Sequence, residues 1–441
     1  MGPVIDPVTP HEQLPDKVDV VVIGAGIIGT CTALFLAERG VSVALCEKGE
    51  VACEQSSRNW GWVRTTGRDS REMPLIQEAQ RLWDEMNAKT GADTGLRRPG
   101  IAYLADSDAK AEGFERWLAM AKAHQVDSRL VTGAELEALM PGATRTYKAG
   151  LLTPSDGRAE PQKAAPAIAS AAQRLGAKLF TRCAVRGLES EAGRVSAVIT
   201  ERGRIACSSV VLAGGAWSRL FCARHSLTLP QLTVRASVFR TTPVEGGPDS
   251  NLWTPKVALR KRLDGGYSIA NGHANLAEIV PDHFAFFFQF LPALRAERGS
   301  LKLKLSSRFI EELRRPKRWA LDAPSPFEAN RCLDPDPVDS INQEAWDDLR
   351  QLFPVFQQAQ IAQAWAGMID VTPDAVPVIS EVEQQPGFFV ATGFSGHGFG
   401  IGPGAGKLMA ELVTGAPPCV DPTPFRFNRY SDGSKPRLEI Y

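Results

Sequence analysis

Three glycines, one glutamate and a short run of hydroxyl and guanidinium side chains are the residues of this chain whose types and spacing could do chemistry together. Gly24-Ala25-Gly26-Ile27-Ile28-Gly29 spells GxGxxG, and Glu47 follows 18 residues after Gly29. Glycines so spaced hold a pyrophosphate. The first permits a tight turn, the second lets the backbone approach the diphosphate, and the third lets a helix pack closely on a sheet, while the helix N-terminus offers free N–H groups. An acid at this distance accepts hydrogen bonds from the adenosine ribose hydroxyls, and an acid in place of an arginine disfavours a 2′-phosphate. The elements that must position these residues can be read around them. Val20 to Ile23 is an apolar, β-branched run that stops at Gly24, a helix runs through Cys31 to Arg39 and stops at Gly40, and a second strand, Val41 to Cys46, delivers Glu47. Strand, glycines, helix, strand and acid in that order predict a bound adenine dinucleotide, with NADP the least favoured.

The rest of the composition narrows the class. At 441 residues, and about 150 residues per domain, two domains are expected. Lys and Arg number 50, as do Asp and Glu, with no basic run of the kind that tracks phosphates, so nucleic acid is not an expected partner. The N-terminus, MGPVIDPVTPHEQLPDK, has no charged segment followed by an apolar one, which predicts a cytoplasmic protein. Asp6 stands where N-myristoylation needs Ser or Thr. The eight cysteines show no CxxC and no His-rich spacing, so reduced thiols and no metal are expected. Phe284 to Leu291 is the most apolar segment and is too short for a span of about 20 residues. It reads as substrate-domain core or a subunit contact, with an active-site entrance or a monolayer-dipping surface as alternatives.

Beyond residue 50 the dinucleotide pattern is interrupted and later resumed. Met73 to Lys89, Ala109 to His124 and Gly133 to Met140 have helical periodicity, and Ile101 to Ala105 reads as a strand. An Ala-rich helix, Ala164 to Leu175, then leads into a strand at Lys178 to Phe180, a hairpin-like pair, and the strand Ser209 to Ala213 that ends on Gly214-Gly215. Residues 227 to 336 turn to strands at Thr233 to Arg240, Lys256 to Arg262 and Gly266 to Ala270, with an amphipathic helix around Ser306 to Leu313. Phe388 to Ala391 is the last strand, and it runs into the glycine-rich start of a final helix. The expected fold class is α/β (α+β): a split Rossmann-like domain over 1–95, 150–226 and 337–441, with a mostly antiparallel β-sheet substrate domain over 96–149 and 227–336.

That split layout, with VVIGAGIIG and Glu47, the SSRNWG loop, VVLAGGAWS, GMIDVTPDAVPVIS and GFSGHGFGIGPGAGKLMAELV, resembles the glycine oxidase, sarcosine oxidase and D-amino-acid oxidase family over nearly the whole chain. The resemblance implies FAD as cofactor and oxidation of a C–N bond next to a carboxylate: hydride passes from the α-carbon to flavin N5, and water hydrolyses the imine. The implied cofactor contacts are Gly24, Gly26, Ile27 and Gly29, then Glu47 and Lys48, the loop residues Ser56, Ser57 and Arg58, Val185, Gly214 and Gly215, and Gly393, Phe394, Ser395, Gly396, His397 and Gly398. Hydroxyls and a guanidinium at 56–58 suit phosphate oxygens, and the final helix start suits negative charge at the flavin pyrimidine edge. His397 reads either as a donor or cation beside that edge or as a histidine satisfied by loop carbonyls.

An amino acid needs a cation for its carboxylate, ideally a bidentate arginine. Glycine oxidase-like proteins carry one in the late strand where this chain has Ile369. Arg64 falls where sarcosine oxidase-like proteins carry theirs and is the expected clamp, with Arg235, Arg240 and Arg260 in reserve. Trp60, Trp62, Tyr267, Trp365 and Met368 are expected to form an apolar chamber for a bulky side chain. Gly367 stands where the family links flavin to a cysteine, so non-covalent FAD is expected, and Gly266 to Gly272 lacks the lysine that the family uses on oxygen. The activity implied is oxidative deamination of free α-amino acids to 2-oxo acid, ammonia and peroxide, with a lean to L-amino acids. The alternatives are a dehydrogenase for amino or N-methyl-amino acids that feeds a quinone or carrier, and a flavin-bearing subunit of a larger complex. Homo-oligomerisation and a peripheral membrane contact stay open.

Overall fold

The computed structural model describes residues 2–434 and 436–439. β1 (Val20–Ile23), α1 (Ile27–Glu38) and β2 (Val43–Cys46) form the expected right-order unit, with Val22 opposite Leu45 across the parallel pair. β1 also pairs in parallel with Ser209–Leu212, which pairs with Phe388–Thr392, so three segments distant in sequence complete one six-stranded sheet. Its outer strands are Lys178–Phe180 beside β2 and the antiparallel Val378–Glu381. Strands buried on both faces read as unbroken apolar runs, which is why VVVI and SVVL could be assigned from sequence. α1 is buried at eleven of its twelve residues, so it is an interior helix rather than an amphipathic one. The final helix, Gly398–Thr414, packs against it so tightly that a Cβ on Gly406 would lie 2.4 Å from Cys31 Cβ.

The second sheet is mixed, mostly antiparallel and ten-stranded. Leu232–Thr241 pairs along one edge with Ile361–Val371 and along the other with Tyr267–Asn271 and, at Arg235, with Asn275–Glu278. Helix Asp339–Leu352 covers it, placing Trp346 edge-on to Phe239 at 5.8 Å. Three segments from the ranges expected in the nucleotide domain sit with this sheet: residues 150–153 of the strand Ala149–Thr153, the strand Ile361–Val371 and the helix Asp339–Leu352. No change of composition marks where the chain crosses between sheets, since apolar strands serve both.

The Phe-rich segment falls in two short helices, Pro281–Ala285 and Phe287–Ala296. Phe286 and Phe290 pack against Leu232, whereas Phe284 and Phe288 remain 69% and 85% exposed, so only half of this segment is core. No described helix is long and apolar enough to cross a membrane. All eight cysteines are free, and among the described residues no cluster of three or more His, Cys, Asp or Glu could hold a metal ion.

A buried ion pair ties the second sheet to the start of helix Pro161–Arg174. Arg260 grips Glu160 through both carboxylate oxygens at 2.8 and 2.9 Å, and Glu160 also accepts the Leu263 N–H. Burial pushes the Glu160 carboxyl up, but Arg260 outweighs it and holds the carboxyl at about 2. A folded-state value below the ordinary 4.5 contributes stability that is complete above that pH and is lost as pH falls toward 2, roughly 3 kcal/mol in all. Glu160→Gln, which strands a buried guanidinium, should cost about 3–5 kcal/mol at neutral pH. Urea unfolding at pH 7 and pH 3.5 checks both points: the parent should lose more stability on acidification than the variant.

Candidate active site

A cavity of about 370 Å³ opens between the two sheets, and the glycine turn forms one end of it. Gly24 has φ +98, and a Cβ on Gly29 would lie 1.9 Å from the Gly24 carbonyl oxygen, so the helix can start only against bare backbone. A Cβ on Gly26 would lie 2.9 Å from Ser56 Oγ, the hydroxyl oxygen that accepts the Ile27 N–H at 2.8 Å. Glu47 closes the turn from the other side: its carboxylate oxygens accept the N–H groups of Ala25 at 2.8 Å and Gly49 at 2.7 Å. Each oxygen keeps a further lone pair for a ribose hydroxyl. Burial pushes this carboxyl above its usual range, against the pull of Lys48 and the two N–H donors.

Several expected phosphate partners are already engaged. Lys48 lines the cavity, but its ammonium donates to Glu54 and to the carbonyls of Asn330 and Arg331 and stands over the Trp217 ring. Arg58 lines it too, with Nη1 on Asp334 at 2.7 Å and on the Ala366 carbonyl, and Nε on the Cys53 carbonyl. Ser57 does not line the cavity, and its hydroxyl donates to the Glu54 carbonyl. Arg58 and Ser57 thus shape the loop, and the donors open to a diphosphate include the Ser56 hydroxyl, which accepts the Ile27 N–H but donates to no described residue, and the Ile28 and Gly29 N–H groups in the first turn of α1. Val185, Gly214 and Gly215 line the cavity as expected contacts would.

The final helix approaches from the opposite side. Gly398, Phe399 and Gly400 make its first turn, whose N–H groups lack intrahelical acceptors, and all three line the cavity with Phe394, Ser395 and Gly396. Gly393 sits behind them, its N–H held by Asp370. His397 has a carboxylate partner, Glu72, 2.9 Å from Nε2, in place of a loop carbonyl. Burial, with Arg68 nearby, keeps the imidazole below its ordinary pKa despite Glu72.

The rest of the cavity wall is aromatic and cationic. Trp60, Trp62 and Trp253 stand edge to face with centroids 5.2–5.8 Å apart. The Arg64 guanidinium lies 5.4–5.9 Å from the rings of Trp253, Tyr103 and Trp62, and Nη1 donates to the Thr66 carbonyl at 2.8 Å. Burial pulls its pKa well down and Arg68 adds to this, while Asp156 and Glu72 oppose. Among the described residues no carboxylate lies within 4.0 Å of Arg64 or Arg68. The reserve arginines are all committed elsewhere: Arg235 to Glu278, Arg240 to Asp264 and Gln363, Arg260 to Glu160.

The late strand presents Gly367 and Ile369 to the cavity. Strand alternation turns Met368 to the other face, where its sulfur accepts from Arg308. Trp365 shares the face of Gly367 but lies one pair beyond the cavity, with Nε1 on the Arg58 carbonyl. Tyr267 is fully buried, its hydroxyl on the Pro248 carbonyl and its ring against Phe356. These three belong to the packing around the chamber and not to its lining. Trp253, Arg68, Asn271 and Asn275 line it and were not singled out from sequence. For Arg68 a signal was there, since it follows Arg64 by four residues in the same loop.

The residues at the glycine end fit an adenine dinucleotide. Glu47→Ala removes the ribose acceptor and orphans two backbone donors, so FAD affinity should fall on the order of tenfold or more, with Gln intermediate, since a hydrogen bond to a charged group is worth about 1.5–3 kcal/mol. Titrating apoprotein with FAD measures this, and equal affinities in all three proteins would place the ribose elsewhere.

Comparison with known proteins agrees with this geometry. The family described as DAO, FAD dependent oxidoreductase, matches residues 19–412. The L-amino acid deaminase of Proteus myxofaciens, solved with anthranilate, is 34% identical with a TM-score of 0.94, covering 98% of this chain and 97% of that one. That of Proteus vulgaris is 33% identical with a TM-score of 0.93, covering 96% and 100%. The 4-methylaminobutanoate oxidase (formaldehyde-forming) of Paenarthrobacter nicotinovorans is 25% identical over 427 residues, 96% of this chain but 47% of that protein. The chain thus spans about half the length of such curated relatives. With a glycine turn, Glu47 and a second helix N-terminus opening on one cavity, and a match along most of its length, the chain belongs to the DAO family of FAD-dependent oxidoreductases.

Proposed function

We propose that the protein oxidatively deaminates free L-α-amino acids with apolar or aromatic side chains, using non-covalent FAD. The observation that carries this reading is a pair of guanidiniums without carboxylate partners, facing a tryptophan wall inside the cavity. A carboxylate meets the cations, and an apolar side chain meets Trp60, Trp62 and Trp253 with water excluded, which positions the α-carbon by binding alone. The likeness to L-amino acid deaminases supports the L-configuration. FAD, when bound, supplies the two-electron acceptor for the α-hydrogen. The residues that would hold it are Gly24, Gly26, Glu47 and the first turns of α1 and the final helix. No base is required of the chain if the amine enters unprotonated.

A second reading, a dehydrogenase feeding a quinone or carrier, is favoured by Lys48. Among the described residues it is the one lysine lining the cavity, and Glu54 and two carbonyls hold it. Purified protein given L-phenylalanine should form the 2-oxo acid and ammonia. Oxygen consumption marks the oxidase and dye reduction without it marks the dehydrogenase. Acid precipitation should leave all flavin in solution as FAD, and flavin on the pellet would contradict the non-covalent part.

A further inference from the structure

Arg68 is the cavity residue whose chemistry is unaccounted for. It is 4% exposed, yet its guanidinium makes no hydrogen bond to any described residue and its Nε is buried without a partner. The two acids nearest in charge are occupied: Glu72 faces His397, and Asp156 accepts the N–H groups of Thr65 and Thr66 and the Thr66 hydroxyl. Those same bonds pin the loop, and Trp117 Nε1 donates to the Arg68 carbonyl at 3.0 Å, so the backbone that carries Arg68 is fixed. Two further buried polar atoms beside Arg64 also lack partners, Trp62 Nε1 and the Tyr103 hydroxyl. Burying donors without acceptors is costly, so these groups call for a partner, which a ligand in the cavity can supply. Burial draws the Arg68 pKa down to about 10, with Glu72 and Asp156 opposing, so the cation persists at neutral pH.

We propose that Arg68 binds the substrate carboxylate jointly with Arg64, forming a two-guanidinium site in which Arg64 is steadied by Thr66 and the rings and Arg68 is satisfied only by the ligand. This rests on the amino-acid reading above. A site for one carboxylate explains why two cations of one loop face one cavity with several donors open at once. The rival role, a contact to the cofactor's own polar edge, would tie Arg68 to FAD affinity instead.

The test uses holoenzyme and two probes, 2-aminobenzoate and its amide, titrated by the flavin absorbance change and by thermal unfolding. Arg68→Gln should weaken 2-aminobenzoate at least tenfold, with Arg68→Lys intermediate, and should leave the amide and the FAD affinity unchanged. Without ligand the Gln variant should unfold at the parent's temperature or above, because an unsatisfied buried cation has been removed, and it should lose the rise that 2-aminobenzoate gives the parent. Parent-like binding of 2-aminobenzoate by Arg68→Gln would overturn the proposal, as would a fall in FAD affinity with both probes weakened alike. A parent that binds neither probe and is reduced by no amino acid would overturn the functional reading as well, which separates the two failures.

Discussion

Arg64→Ala should slow flavin reduction by an amino acid at sub-saturating substrate by the equivalent of roughly 2–5 kcal/mol, the cost of truncating one member of a buried charge pair. The guanidinium is half-buried, has one backbone acceptor and three rings around it, and has no carboxylate of its own within reach among the described residues. Ring faces favour a cation but accept no strong hydrogen bond, so most of the donor capacity is left for a ligand. Arg64→Lys keeps the charge among the rings and loses the planar fork, and should therefore depress the reduction rate as well as affinity. An amine lacking the carboxylate serves as control: it should be a poor substrate of the parent and little affected by either change. Because Arg64 and Arg68 serve one ligand, the double variant should lose less than the sum of the single losses. Parent-like reduction by Arg64→Ala would remove Arg64 from the site.

Gly29→Ala should yield protein depleted of FAD. At an ordinary helix interior position this change gains about 1 kcal/mol. Here the added Cβ would stand 1.9 Å from the Gly24 carbonyl oxygen, which is backbone and cannot swing aside. The turn must open or α1 must lift from β1, and overpacking of this kind costs about 1–3 kcal/mol. The same movement displaces the Ala25 N–H from Glu47 and the Ile27 N–H from Ser56, so the diphosphate cradle and the ribose acceptor are disturbed together. FAD affinity should fall on the order of a hundredfold, equivalent to about 2.8 kcal/mol. Flavin content after purification and the urea midpoint measure the two effects. A fully loaded variant with the parent's midpoint would contradict the account of the turn.

The nucleotide half is legible in the sequence because its constraints are local. Gly24, with φ +98, and Gly29, whose Cβ would meet the Gly24 carbonyl, are required within the turn itself, while Gly26 is also constrained by Ser56 and Gly24 by the Ala213 carbonyl from farther along the chain, and Glu47 stands at the end of the next strand, where the βαβ unit must bring it. The substrate-facing half depends on register between distant strands. Nothing in the sequence tells that Met368 turns away while Ile369 faces the cavity, or that Tyr267 lies beyond it, because around these positions both strands are largely buried on both faces and no strict polar–apolar alternation marks the register. Arg58 illustrates a different limit. Its position beside the glycine turn suggests phosphate, but Asp334 and the Ala366 carbonyl arrive from sequence about 300 residues away and take its donors. Arg68 and Trp253 are missed for the converse reason: a charged residue in a polar loop and an isolated aromatic look ordinary until the fold withholds every partner from one and sets the other beside Arg64.

As proposed above, this cavity recognises an amino acid by its carboxylate and its configuration and delivers the α-hydrogen to FAD. Anaerobic mixing of the holoenzyme with L-phenylalanine, D-phenylalanine and 2-phenylethylamine, followed by flavin absorbance, tests it most directly. Fast, complete bleaching is expected with the L-amino acid, with little from its enantiomer and little from the amine that lacks the carboxylate. Equal bleaching by the amine and the L-amino acid, or none by either amino acid, would contradict it.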